Sequence, residues 1–129
     1  MSNQTYVGFV VNIFNSLNYD IHIEGLTTPY HGMEYSYVDE DDGIIRYNKT
    51  HRCRLSGILR KKSPVPYDEY IQSVRSIQLK IQKLNGWVMV KIIGEDKFRR
   101  LLVELYDLIT GQSLNDELRK LKNVYIPYN

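Results

Sequence analysis

Between residues 67 and 85 the apolar side chains Tyr70, Ile71, Val74, Ile77, Ile81 and Leu84 recur at three- and four-residue spacing, whereas in the segments on either side they recur at every second residue. Those two periods demand an amphipathic helix framed by half-buried strands. Asp68 and Glu69 near the start of the helix and Lys80 and Lys83 near its end suit the helix dipole, and Gly86 is placed to stop it. Upstream, residues 6–14 are rich in Val, Ile and Phe, Asn15-Ser16-Leu17-Asn18 reads as a turn, and residues 19–24 alternate, with Tyr19, Ile21 and Ile23 on one face. Residues 44–47 and 51–58 read as strands joined by an Asn48-Lys49 turn, and residues 59–66 as a basic loop with two prolines. Downstream, residues 87–93 and 100–106 read as strands around a Gly94-Glu95-Asp96-Lys97 hairpin; Ser113 can cap a helix over 114–121, and 123–129 form a tail. About five strands with a helix after the third predict a mainly β, α+β fold: a five-stranded OB-type barrel with two helices.

A chain of 129 residues suits one domain over 1–129 and can bury a core without staples. The formal net charge of +2 is too small to mark a nucleic-acid binder by itself, so any basic surface must come from local clustering. The single cysteine, Cys53, excludes an internal disulfide and alternates onto the apolar side of its strand, as a small core residue would. No apolar run reaches membrane-spanning length, and Met1 to Tyr6 lacks the basic start and apolar stretch of a signal peptide. An intracellular location, cytoplasmic or nuclear, or a place within a virus particle, is expected, with no membrane contact. The eleven tyrosines serve strands and core as readily as base stacking. His22, His31 and His51 lack zinc-ligand spacing, and the acidic run Asp39 to Asp42 lacks that of a calcium loop. No cofactor and no metal are expected.

Four segments in this order resemble the staphylococcal nuclease (thermonuclease-like) family. Val10-Val11-Asn12-Ile13-Phe14 is similar to the strand leading into that family's D-G-D-T turn. Arg52-Cys53-Arg54-Leu55-Ser56-Gly57-Ile58 resembles its R-x-R-L-x-G-I strand, which runs into D-T-P-E. Asp96-Lys97-Phe98-Arg99-Arg100-Leu101-Leu102-Val103 resembles its D-K-Y-G-R-L-L-V hairpin, and Gly111-Gln112-Ser113-Leu114-Asn115 with Tyr125-Ile126-Pro127-Tyr128 its last helix and tail. The wording Arg52-Cys53-Arg54-Leu55 is similar to copies in large DNA viruses.

The resemblance implies that Arg54 and Arg100 stand where the family has two arginines that stabilise phosphoryl charge. It also implies that the metal- and water-activating carboxylates are replaced: the D-G-D-T turn by Asn15-Ser16-Leu17-Asn18, the Asp of D-T-P-E by Leu59 and its Glu by Lys62. Leucine cannot ligate calcium and lysine repels it. Loss of a general base alone costs roughly 10² to 10⁴ in rate. The expectation is a catalytically inactive domain, a pseudonuclease, with Arg54 and Arg100 vestigial. The glycine of the hairpin is Arg99 here, which asks the turn to hold a Cβ.

Arg60, Lys61 and Lys62 with Arg54 and Arg100 form the candidate nucleic-acid-binding set, for single-stranded DNA or RNA without sequence preference. The alternative is a structural or protein-interaction scaffold on the same barrel, with the Tyr-rich, acidic 25–43 insertion as the protein contact. A metal-dependent nuclease with a rearranged site is the third reading. The 25–43 segment is read as a loop with a short strand near 35–38.

Overall fold

A computed structural model describes residues 4–26, 33–38, 40–62 and 64–127. The two periods become strands β1 (Gln4–Ile13), β2 (Asn18–Ile23), β3 (Met33–Val38), β4 (Ile45–Leu55) and β5 (Ile58–Arg60), helix α1 (Tyr67–Lys83), strands β6 (Trp87–Glu95) and β7 (Leu101–Tyr106), helix α2 (Leu114–Arg119) and strand β8 (Tyr125–Pro127). Five of the strands close on themselves. β1 is antiparallel to β2 and β6, β2 to β4, and β6 to β7, while β4 and β7 run parallel. This is the five-stranded mixed barrel with two helices expected from the order of elements.

Period two fills the barrel. Tyr19, Ile21 and Ile23 of β2, Cys53 and Leu55 of β4, Val88, Val90 and Ile92 of β6, and Leu101, Val103 and Leu105 of β7 are all buried. Gly8 on β1 leaves them room: a Cβ there would stand 2.8 Å from a methyl of Ile21 and 2.8 Å from one of Val90. Helix α1 adds Ile77 and Ile81 to the same core, with Tyr70 and Leu84 at its margin. Burial pushes the Cys53 thiol up, which keeps it an inert core side chain.

Several local expectations are corrected. Asn48 and Lys49 make no turn; β4 runs through them because Ile45–Thr50 pairs with β3 and His51–Arg54 with β2. The 59–66 segment is not all loop, since Ile58–Arg60 pairs antiparallel with β8, which also turns the expected tail into a strand. The β6–β7 reversal falls at 96–100 rather than 94–97. Asp96 sets it by accepting hydrogen bonds from the backbone N–H of Phe98 (2.8 Å) and Arg100 (2.9 Å). In the 25–43 insertion a strand forms at Met33–Val38; residues 27–32 and 39 of that insertion, and with them His31, lie outside the described residues.

Arg99 holds φ 64° in that reversal. The left-handed region costs a residue with a Cβ about 1–2 kcal/mol, and the looser unfolded chain of a glycine offsets roughly half of what removing the Cβ would gain. Arg99→Gly is therefore expected to stabilise the protein by about 0.5–1 kcal/mol, read as a rise in the urea midpoint without change in slope.

Candidate functional site

The β1–β2, β4–β5 and β6–β7 reversals meet at one end of the barrel and shape an open cleft there. It has two lobes of about 710 and 310 Å³ that share Arg54 and Leu59. The floor is fixed by short-range bonds. Asn15 Oδ1 accepts from the backbone N–H of Leu17 (2.8 Å) and Asn18 (2.9 Å), which folds the β1–β2 turn back on itself. Asn18 Oδ1 in turn accepts from Arg100 Nη1 at 3.2 Å, tying this turn to the β6–β7 reversal. Arg54 donates from Nη2 to the Ile58 carbonyl at 3.0 Å, bracing the β4–β5 turn. Arg100 Nε meets Asp96 Oδ2 at 2.7 Å.

Two aromatic rings line the cleft, one with a face covered by a cation and the other flanked by two. The Arg60 guanidinium lies 3.7 Å above the Tyr70 ring, while Arg100 and Lys97 stand 5.3 and 5.2 Å from the ring centre of Phe98. Phe98 is 67% exposed at the lip. These contacts are of the cation–π kind, worth about 0.5–1 kcal/mol where exposed.

The fold thus brings together Arg54, Arg60, Arg100, Leu17 and Leu59, as the strand pairing of their segments requires. It does not bring in Lys61 or Lys62, which follow β5 and line neither lobe. Leu17 is a core residue at 6% exposure, and its carbonyl accepts from Leu55 N–H at 2.9 Å. Sequence reasoning missed Lys97, Phe98, Asn18 and Tyr70. The first two lie in the Asp96–Arg100 segment already singled out, where only Arg100 has a site role; Tyr70 reads in the sequence as a member of the helix stripe, with no sign that it faces the cleft.

The donor set does not suit a calcium ion. Among the described residues Asp96 is the one carboxylate lining either lobe, and it is committed to Arg100. The remaining ionised groups around it, Arg54, Arg60, Lys97 and Arg100, are cations, where calcium needs several oxygen anions. Among the described residues no three His, Cys, Asp or Glu side chains converge.

Burial alone would raise the Asp96 carboxyl, but the N–H and guanidinium of Arg100 and the N–H of Phe98 outweigh it and hold it below the usual carboxylate range. The backbone N–H groups of Thr110 and Ile109 do the same for Asp107. For an acid with a depressed folded value, the stability it contributes is present above the unfolded value, about 3.9, and is lost as pH falls through the lower folded value. The stability gap between the parent and an Asp96→Asn/Asp107→Asn double variant is therefore expected to be constant above pH about 5 and to narrow as pH falls below the unfolded value, about 3.9. Urea titrations at stepped pH measure it, and a gap that widens on acidification would contradict the assignment.

Neither a family model nor a curated protein sequence matches the chain. Solved structures do, at the level of fold. The extended Tudor domain TD3 of mouse TDRD1, solved with a MILI peptide containing dimethylarginine 45, superposes with a TM-score of 0.59 at 11% identity, covering 100% of this chain and 96% of that one. The extended Tudor domain of Drosophila melanogaster Papi gives 0.56 at 12% identity, over 97% and 100% of the two chains. That of human TDRD1, in complex with a symmetrically dimethylated peptide, gives 0.57 at 11% identity, over 99% and 92%.

These findings overturn the reading of the chain as a degenerate staphylococcal nuclease of viral type. The words that suggested it have local tasks in this barrel. Arg54 braces a turn, Asp96 and Arg100 lock a reversal, and Leu55, Leu101 and Val103 are core residues, with Cys53 opposite Leu101 and Leu55 opposite Val103 across β4 and β7. Among the described residues no helix is long and apolar enough to cross a membrane. The chain shares its barrel with extended Tudor domains of animal proteins, and neither the nuclease family nor a viral source is upheld.

Proposed function

We infer that this chain is a protein-interaction module that docks a peptide segment of a partner on the outside of its barrel. The observation that carries this reading is the fold likeness over essentially the whole chain to extended Tudor domains, two of them solved with a peptide bound. The chemistry of the cleft agrees with binding rather than turnover. Its side chains brace turns and one another, and its one carboxylate is held by Arg100. A base that must move a proton needs freedom that Asp96 lacks. The reading of a single-strand binder is less well supported. Such proteins combine a basic groove with aromatic faces open to bases. Here Arg60 covers a face of Tyr70, two cations flank Phe98, and Lys61 and Lys62 stand outside the cleft.

Panning a random peptide display library on the immobilised full chain tests the proposal. Enrichment of peptides that share a motif, and that bind as synthetic labelled peptides with micromolar affinity, is expected. No enrichment, together with saturable binding of a labelled single-stranded oligonucleotide at about 0.15 M salt, would overturn it in favour of nucleic-acid binding.

A further inference from the structure

We propose that the cleft between Arg54, Arg60 and Arg100 receives an acidic side chain, an Asp or Glu of the docked peptide, so that the partner segment is acidic; this deepens the peptide-docking reading and rests on it. Arg54, Arg60, Lys97 and Arg100 line the two lobes, and Asp96, the carboxylate among the described lining residues, is paired with Arg100. Arg60 and Lys97 add positive charge that no carboxylate among the described lining residues answers, although the chain as a whole carries only +2. Low-dielectric walls concentrate such a field in a cleft.

The donors are also held in place. Arg100 is pinned on one side by Asp96 at 2.7 Å and on the other by Asn18 at 3.2 Å, so its guanidinium is oriented before any ligand arrives. Arg60 rests on the Tyr70 ring at 3.7 Å and has no ion-pair partner among the described residues. Planar guanidinium groups with fixed orientation suit the two oxygens of a carboxylate. Phe98, exposed at the lip between Lys97 and Arg100, offers apolar area beside the charge, as a peptide side chain would need.

The same charges exclude other occupants. A methylated arginine keeps its positive charge, so the cations of this cleft repel it; the ligand chemistry of this lobe is opposite to that in the peptide complexes of the fold neighbours. A polynucleotide needs a track of phosphate contacts, whereas Lys61 and Lys62 do not extend the cleft and Arg60 already covers a face of Tyr70.

The test is fluorescence anisotropy of the full chain with four labelled probes: a Glu-rich dodecapeptide, its Gln-substituted twin, an arginine-rich peptide carrying symmetric dimethylarginine, and a single-stranded oligonucleotide. The Glu-rich peptide is expected to bind at least tenfold tighter than the Gln twin, and to weaken at least tenfold in Arg60→Glu and again in Lys97→Glu. Both positions are exposed, and unchanged thermal melts would confirm that each variant folds. Equal affinity for the Glu and Gln peptides would overturn the proposal. So would an oligonucleotide or dimethylarginine peptide that binds more tightly than the Glu peptide and is weakened by the same variants. If panning yields peptides whose binding ignores Arg60→Glu, the acidic subsite fails while the docking reading stands; if no peptide binds at all, both fail.

Discussion

Replacing Asn115 by Leu is expected to destabilise the protein by about 3–5 kcal/mol and to lower its melting temperature by roughly 10–25 °C. Asn115 is fully buried near the start of α2, and all its polar atoms work for the backbone of other elements. Its Oδ1 accepts from Leu105 N–H at 3.0 Å, and its Nδ2 donates to the carbonyls of Val103 and Ser56, each at 3.1 Å. The reason for the arrangement lies in the barrel. β4 ends at Leu55, whereas β7 runs on to Tyr106, so one side of β7 loses its neighbour partway along. Asn115 supplies the hydrogen bonds that the missing stretch of strand would have made. After the substitution Val103 still accepts from Ser56 N–H and Ser56 still accepts from Arg119, but Leu105 N–H is left with no partner in a dry site. One orphaned buried donor costs about 1–3 kcal/mol, and two lost bonds add about 1 kcal/mol each.

Asn115→Asp separates this account from simple loss of packing. Its carboxylate would keep the bond from Leu105 but face two carbonyl oxygens, which raises its folded-state pKa and favours the protonated form. A raised folded value means stability that is present at low pH and lost as pH rises. Measured against the parent at each pH, the Asp variant is therefore expected to recover on going from pH 7 toward pH 4, while the Leu variant does not. Equal deficits at both pH values would sink the hydrogen-bond explanation.

Asn115 also marks where the sequence stops being readable. The barrel strands and α1 were legible because burial imposes a period, and Tyr19, Ile21, Ile23 and Val88, Val90, Ile92 display it without any knowledge of partners. Asn115 looked like an ordinary polar residue beside the Ser113 cap, since nothing local says that it stands in for a strand. Residues 58–60 failed for a similar reason. Three residues of pairing with a segment more than sixty positions away leave no periodic trace. The site divides along the same line. Arg54 and Arg100 could be picked out from short words, but that Arg100 is held between Asp96 and Asn18, or that Arg60 rests on Tyr70, depends on which turns the closed barrel brings together. The short words also misled. In this chain those words serve a parallel β4–β7 register and a braced reversal.

Gly86→Ala is expected to cost about 2–5 kcal/mol, roughly twice the cost of the same change at Gly111. Both glycines have positive φ, 86° and 74°, so both variants bear the left-handed penalty of about 1–2 kcal/mol. Only their surroundings differ. A Cβ at Gly111 would meet nothing within 4 Å, whereas at Gly86 it would stand 2.5 Å from the nearest carbon of the Phe9 ring. The ring cannot swing away freely, because it is packed against Trp87 with centroids 5.3 Å apart. The backbone cannot yield either without breaking bonds that seat α1 on the barrel. Gly86 N–H donates to Ile81 at 2.9 Å to close the helix end, and the Gly86 carbonyl accepts from Val10 N–H of β1 at 2.8 Å. Overpacking of that kind adds about 1–3 kcal/mol. A double variant with Phe9→Ala isolates this part: the two substitutions should be less damaging together than the sum of each alone, by about 1–2 kcal/mol, because the clash is gone while the φ penalty stays. Additive losses would mean that the ring is not what makes residue 86 a glycine. Trp87 is the protein's single tryptophan, so its fluorescence reports both the unfolding transition and any rearrangement at this contact in the folded state.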